Sequence, residues 1–287
     1  MRYVLSILIL TVAIAYSQTA TVTPLGPDGG IISHLEGSPD DSVVLAVVGE
    51  EELYRSLDGG NTWSKIEIVS PLQSDQFTIN EITFHPSSSN IILLPTSIGL
   101  YRSTDKGATW SAVTEPLTPS PTLSVKYVPG IPGVLFGSDV NGVLRSTDDG
   151  KTWQPMKDNV YFGNRFIKHV AIHPKDTALA TLRVVATTGF DDTTGIFFSS
   201  NGGVTWIPLI NGLPTGDARK IYTVVLDSTG LLGRDYRILI GTADGVYAIQ
   251  SNLFGNIWQP VRISNVQIPV GIVTDGLLVY DKYDTTT

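Results

Sequence analysis

Short runs with apolar residues at alternating positions recur along the chain: Leu53-Tyr54-Arg55, Leu100-Tyr101-Arg102, Val143-Leu144-Arg145, Ile196-Phe197-Phe198 and Val246-Tyr247-Ala248. Alternation with period two marks a half-buried strand. Each run follows a β-rich segment: Val43 to Val48, Ile91 to Leu94, Val134 to Phe136, Arg183 to Ala186 and Arg237 to Ile240. Further upstream lies another short strand ending in a turn, as in Ile82-Thr83-Phe84-His85-Pro86 and Val170-Ala171-Ile172-His173-Pro174. From the turn proline to the alternating run is 14 residues in three copies, Pro39 to Leu53, Pro86 to Leu100 and Pro129 to Val143. A constant offset marks a repeating unit of four strands, A to D. A ends at the His-Pro type turn, B is the apolar run, C carries Tyr-Arg-Ser and D opens at Thr-Trp. Four antiparallel strands repeated radially predict an all-β fold, a β-propeller. The blades fall at about 30–66, 80–113, 123–156, 168–209 and 220–261.

Tryptophan keeps the same period. Trp63, Trp110, Trp153, Trp206 and Trp258 are spaced by 47, 43, 53 and 52 residues, the interval of a repeat array. Three of them close an octapeptide of pattern S-x-D-x-G-x-T-W, with Ser56, Asp58, Gly60 and Trp63, then Ser103, Asp105, Gly107 and Trp110, then Ser146, Asp148, Gly150 and Trp153. A fourth has Ser199, Gly203 and Trp206 with Asn201 in place of the aspartate, and a fifth keeps only Ser251, Gly255 and Trp258. Asp and Ser accept hydrogen bonds from nearby backbone N–H groups, and Gly permits positive φ, so the octapeptide predicts the C-to-D turn. Its tryptophan is expected to pack between blades. One carboxylate per loop falls short of the 6 to 8 oxygens that calcium takes. Neither a metal site nor a cofactor is expected.

The octapeptide, with its Gly-(Leu/Val)-Tyr-Arg lead-in, resembles the Asp-box or BNR repeat of sialidases, xyloglucanases, sortilin-type receptor propellers and the photosystem II assembly factor family. With its flanking strands the resemblance covers roughly residues 23–261, and the opening Pro24 to Gly30 is similar to the first blade of bacterial exported sortilin-like propellers. The resemblance implies a folding element on the side away from the active face. It implies no particular chemistry.

Met1-Arg2, the apolar run Tyr3 to Ala15 and the small residues of Ala15-Tyr16-Ser17 read as a cleavable export signal over residues 1–17. That apolar run is too short to cross a bilayer as a helix. The expectation is a secreted or periplasmic protein of bacterial type, without stable membrane insertion and monomeric. The composition agrees: 287 residues, 42% hydrophobic, 16% charged, with 28 glycines, 17 prolines and no cysteine, describe a turn-rich globular chain without disulfides or zinc thiolates. A formal charge of −8 argues against nucleic acid, whose binding rests on lysine and arginine neutralising phosphates.

Strand order puts the A-to-B and C-to-D turns on one face and the B-to-C and D-to-A loops on the other. Ligands are expected on the second face, where loops vary. Its B-to-C loops carry Glu50, Glu51, Glu52, Asp139, Asp191, Asp192, Asp244 and Asp275, an acidic rim, and its D-to-A loops add Tyr161, Arg165 and Arg219. Aromatics beside carboxylates and arginine suit a glycan or peptide. No spacing selects the two facing carboxylates of a glycosidase, and no residue is assigned a catalytic role. Arg55, Arg102 and Arg145 share one repeat position, which makes them structural. His85 and His173 share another, as turn residues. The expected function is therefore a non-catalytic protein- or glycan-binding or assembly module, with a single-propeller glycoside hydrolase as the alternative. Residues 262–287 resemble strands B and C of a sixth blade that residues 19–25 would complete, the rival being a truncated larger propeller.

Overall fold

The computed structural model describes residues 26–27, 30–68, 77–113, 120–140, 142–156, 166–188, 195–209, 221–227, 237–242, 245–251 and 258–262. These residues form five four-stranded antiparallel sheets, in each of which chain neighbours pair. The first holds β1 (Ile32–Gly37), β2 (Val44–Val48), β3 (Glu52–Ser56) and β4 (Ser64–Ile66). The second holds β5 (Thr83–His85), β6 (Ser88–Thr96), β7 (Gly99–Ser103) and β8 (Ser111–Ala112). In the third are β9 (Thr122–Tyr127), β10 (Leu135–Asp139), β11 (Gly142–Ser146) and β12 (Gln154–Pro155). The fourth contains β13 (Ile167–Ile172), β14 (Val184–Thr188), β15 (Ile196–Ser199) and β16 (Ile207–Pro208), and the fifth β17 (Ile221–Asp227), β18 (Arg237–Thr242), β19 (Gly245–Ser251) and β20 (Trp258–Arg262). The chain is a β-propeller, and each sheet is a blade. Residues 1–17, read as an export signal, the segment 19–25 and residues 263–287 of the expected sixth blade lie outside the described residues.

The first strands touch one another from blade to blade, β1 with β5, β5 with β9, β9 with β13 and β13 with β17. They are the inner strands, and the fourth strands are the outer edge. Each second strand is covered on both faces, which explains why B reads as a continuous apolar run rather than an alternating one. Leu45, Ala46 and Val47 are wholly buried, as are Ile92, Leu93 and Leu94.

Apolar burial collects in four seams between adjacent blades. One joins Leu45, Val47 and Leu53 of the first blade to Ile92, Leu94 and Tyr101 of the second. The next joins Leu93 and Leu100 to Leu135, Leu144 and Trp153. A third joins Phe136 and Val143 to Val184, Phe197 and Trp206, and the last joins Val185, Ile196 and Phe198 to Ile238, Ile240, Tyr247 and Ile249.

Strand D differs in detail from the expectation. In the first four blades it opens one residue after the tryptophan. In three of these the indole turns back, and its Nε1–H donates to the carbonyl of the loop glycine: Trp63 to Gly60 at 2.8 Å, Trp153 to Gly150 at 3.1 Å and Trp206 to Gly203 at 3.0 Å, while the Trp110 Nε1 is buried without a partner.

Candidate functional site

Four octapeptide loops share one hydrogen-bond circuit. The serine hydroxyl donates to the aspartate Oδ1, at 2.7 Å for Ser56 and Asp58 and at 2.8 Å for Ser103 and Asp105 and for Ser146 and Asp148. The same hydroxyl accepts the glycine N–H at 2.8 to 3.0 Å. The threonine N–H donates to Oδ1, and its hydroxyl donates to Oδ2 at 2.6 Å, in all three. Asn201 preserves the shape with one bond reversed, since its Nδ2 donates to the Thr205 hydroxyl at 2.8 Å. Each carboxylate is thus consumed by its own loop. The Thr62 hydroxyl, the Thr62 N–H and the Ser56 hydroxyl hold Asp58 down to about 2. For Asp105 and Asp148 burial pulls upward, but the threonine and serine bonds outweigh it and leave both below the usual range.

These loops also fasten the seams. Arg55 donates to the Lys106 carbonyl at 3.3 Å, Arg102 to that of Asp149 at 3.1 Å and Arg145 to that of Gly202 at 2.9 Å, in each case the residue before the loop glycine of the next blade. Beside each arginine, its partner on strand B (Leu45, Leu93 or Phe136) presses against that same glycine. Gly150 has φ +74°, and a Cβ there would lie 3.0 Å from Leu93 Cδ1; Gly203 has φ +83°, and its Cβ would lie 3.0 Å from the Phe136 ring. His85 and His173 are turn residues whose Nδ1 accepts the N–H two positions on, from Ser87 at 3.1 Å and Lys175 at 3.3 Å.

Backbone bonds tie the octapeptides to the A-to-B turns, Asp149 to Gly133 and Gly202 to Leu182, while on the opposite side the Ile79 N–H donates to the Glu50 carbonyl. The two faces are therefore separate. On the second face Glu51 sits exposed in the turn after β2. Asp139 does not project into a rim: it is 4% exposed, because it ends β10 opposite Gly142 and closes the B-to-C hairpin. The equivalent threonines show the device, with Thr96 donating to the Gly99 carbonyl at 2.7 Å and Thr242 to that of Gly245 at 2.9 Å. Tyr161, Arg165, Asp191, Arg219 and Asp244 lie outside the described residues.

Side chains that the loop reasoning passed over converge on the propeller axis. An axial cavity of about 600 Å³ is lined by residues of β1, β9, β13 and β17 and of the segment leading into β5, a volume within the range of ligand pockets. In four blades the inner strand carries a β-bulge at this level, and the extra residues Ser33, Leu123, Lys168 and Tyr222 all line the cavity. Bulges re-aim side chains and gather beside functional sites. Toward the octapeptide face lies a second hollow of about 280 Å³, lined by Tyr127, Pro129, Ile172, Pro174 and Leu226 among others.

The cavity wall is charged unevenly. Glu81 pairs with Lys126 and accepts the Val125 N–H at 2.8 Å. Lys168 stands 5.9 Å from the Tyr222 ring centroid, and burial lowers its pKa. Burial pushes His169 down to about 4, with Lys168 and Lys126 acting in the same direction, so the ring is neutral at pH 7. Its Nε2 is buried without a partner. Among the described residues no group of three or more His, Cys, Asp or Glu could hold a metal ion.

Solved structures share this fold. One described as YCF48 bound to D1 peptide matches with a TM-score of 0.55 at 18% identity, covering 81% of this chain and 67% of that one. YCF48 from Cyanidioschyzon merolae matches at 0.53 and 15%, covering 82% and 72%. The GH74 xyloglucanase from Xanthomonas campestris matches at 0.57 and 16%, covering 81% of this chain and 38% of that enzyme, so the chain spans well under half of it. No protein-family model and no curated protein matches the chain.

Proposed function

We propose that this chain is an exported, non-catalytic binding module that takes a protein or glycan at the face bearing the B-to-C and D-to-A loops. The observation that carries the reading is the axial cavity, which lies toward that face and is lined by polar and charged side chains from all five described blades. The octapeptides, read as Asp boxes of the BNR type, are spent on the fold. Tyr161, Arg165, Asp191, Arg219 and Asp244 belong by sequence to the loops assigned to this face. The export signal, with a secreted or periplasmic location, supplies the setting. A similar structure holding a peptide supports a protein ligand.

The test is capture on glycan and peptide arrays by the purified chain, with reducing-end release followed in parallel. Saturable binding without turnover is expected, and turnover overturns the reading. A glycoside hydrolase is the second reading, favoured by one observation: Glu36 and Glu81 line the same cavity. In that case Glu36→Gln or Glu81→Gln abolishes the release.

A further inference from the structure

The axial cavity is lined by side chains of differing chemistry. β9 and β13 bring Lys126, Lys168 and His169, with Lys126 already paired to Glu81 of the neighbouring segment before β5. β1 supplies Glu36, and the segment before β5 also supplies Asn80, whose Nδ2 donates to the Thr122 carbonyl at 2.7 Å. Beside them the Nε2 of His169 is buried without a hydrogen-bond partner. A buried ring nitrogen without a partner is costly, so a ligand hydroxyl placed there is favoured. The bulges that bring Lys168 and Tyr222 to the axis add a residue to an otherwise regular strand, and the side chain at the bulge changes from blade to blade: Ser33, Leu123, Lys168, Tyr222. A framework position would repeat.

We propose that the axial cavity binds a small hydroxy acid of sugar-acid size, its carboxylate drawn to Lys168 beside Lys126 and a hydroxyl donated to His169 Nε2. Glu36 and the Asn80 side-chain oxygen accept from further hydroxyls. Neutral sugars lack the group that Lys168 selects, and inorganic anions lack the hydroxyl pattern. This assignment rests on reading the chain as a binding module and names the ligand class of that site.

Calorimetric titration of the full chain with sodium D-glucuronate, D-glucose and sodium phosphate tests it. Glucuronate is expected to bind, with glucose and phosphate each at least about tenfold weaker. Lys168→Met should erase the preference for glucuronate over glucose, His169→Phe should weaken glucuronate, and Lys151→Met, an exposed lysine in an octapeptide, should leave it unchanged. Melting curves of each variant verify folding, and the three wild-type titrations decide the matter if a variant does not fold. Equal affinity for glucose, equal affinity for phosphate, or no glucuronate binding at millimolar concentration overturns the proposal. A chain that captures array ligands but ignores glucuronate overturns this inference alone. One that cleaves a uronate-containing oligosaccharide overturns the binding-module reading and leaves the cavity assignment standing.

Discussion

The seams joining the first four blades and the seam joining the fourth to the fifth solve the same packing problem differently. In the first three an arginine on strand C reaches the backbone of the next octapeptide while its strand-B partner fills the space left by the glycine. At the fourth seam the strand-C position is Phe198, paired with Val185, and both join an apolar cluster with Ile238, Ile240, Tyr247 and Ile249. The arginine disappears at the blade boundary where the next octapeptide has decayed to Ser251, Gly255 and Trp258. A buried guanidinium is favourable beside a fixed acceptor and a liability without one, so loss of the arginine fits loss of the sequence pattern that fixes this acceptor in the first three seams. Octapeptide and arginine are one device split across two blades.

Placing arginine at the fourth seam is the most severe way to break this comparison. Phe198 is 6% exposed, and Phe198→Arg buries a charge and empties an aromatic site, which should cost on the order of 3–5 kcal/mol in urea unfolding. A stability equal to wild type would show that the fifth blade offers a carbonyl after all. Gly203→Ala comes next: a Cβ at φ +83° against the Phe136 ring should cost about 1–3 kcal/mol. Arg102→Met keeps the stem and loses the bond to Asp149, for an expected loss of about 1–2 kcal/mol. The same change in blade four has no counterpart.

Acid separates the loops more gently. The Asp58 carboxyl is depressed in the folded state to about 2 by its Thr62 and Ser56 bonds, against an unfolded value near 3.9. A depressed carboxylate contributes stability that is present above the unfolded value and lost as pH falls through the folded one. Stability from the Asp58 loop should therefore decline from about pH 4 toward pH 2, with the Asp105 and Asp148 loops shifting in the same direction, while Asn201 cannot titrate. Asp58→Asn, Asp105→Asn and Asp148→Asn together should flatten that limb in tryptophan fluorescence. A wild-type limb that survives the triple substitution would assign the acid response elsewhere.

Much of this architecture could be read from local spacing. The 14-residue offset and the full octapeptide repeat because the first three blades make the same turns, and identical turns need identical residues. Arg55, Arg102 and Arg145 were recognisable as structural for that reason. Their partners were not, since these lie 51, 47 and 57 residues away in the next blade, at a distance no local pattern reports. Asp139 misled because an acidic residue before a glycine looks like a loop charge, when Thr96-x-x-Gly99 and Thr242-x-x-Gly245 mark the same hairpin closure. The axial residues escaped notice because they differ between blades. Lys168 and Tyr222 sit at an inserted residue, and a one-residue bulge is invisible to a period-two reading.

The most direct test of the division between a folding face and a binding face is Trp110→Ala, measured for melting temperature and for glucuronate affinity in the same preparation. Trp110 packs against the first seam from the octapeptide of the second blade, remote in role from Lys168 and His169. A melting temperature several degrees lower with an unchanged dissociation constant is the result expected. An unchanged melting temperature with lost affinity would place ligand recognition in the octapeptides and contradict the account.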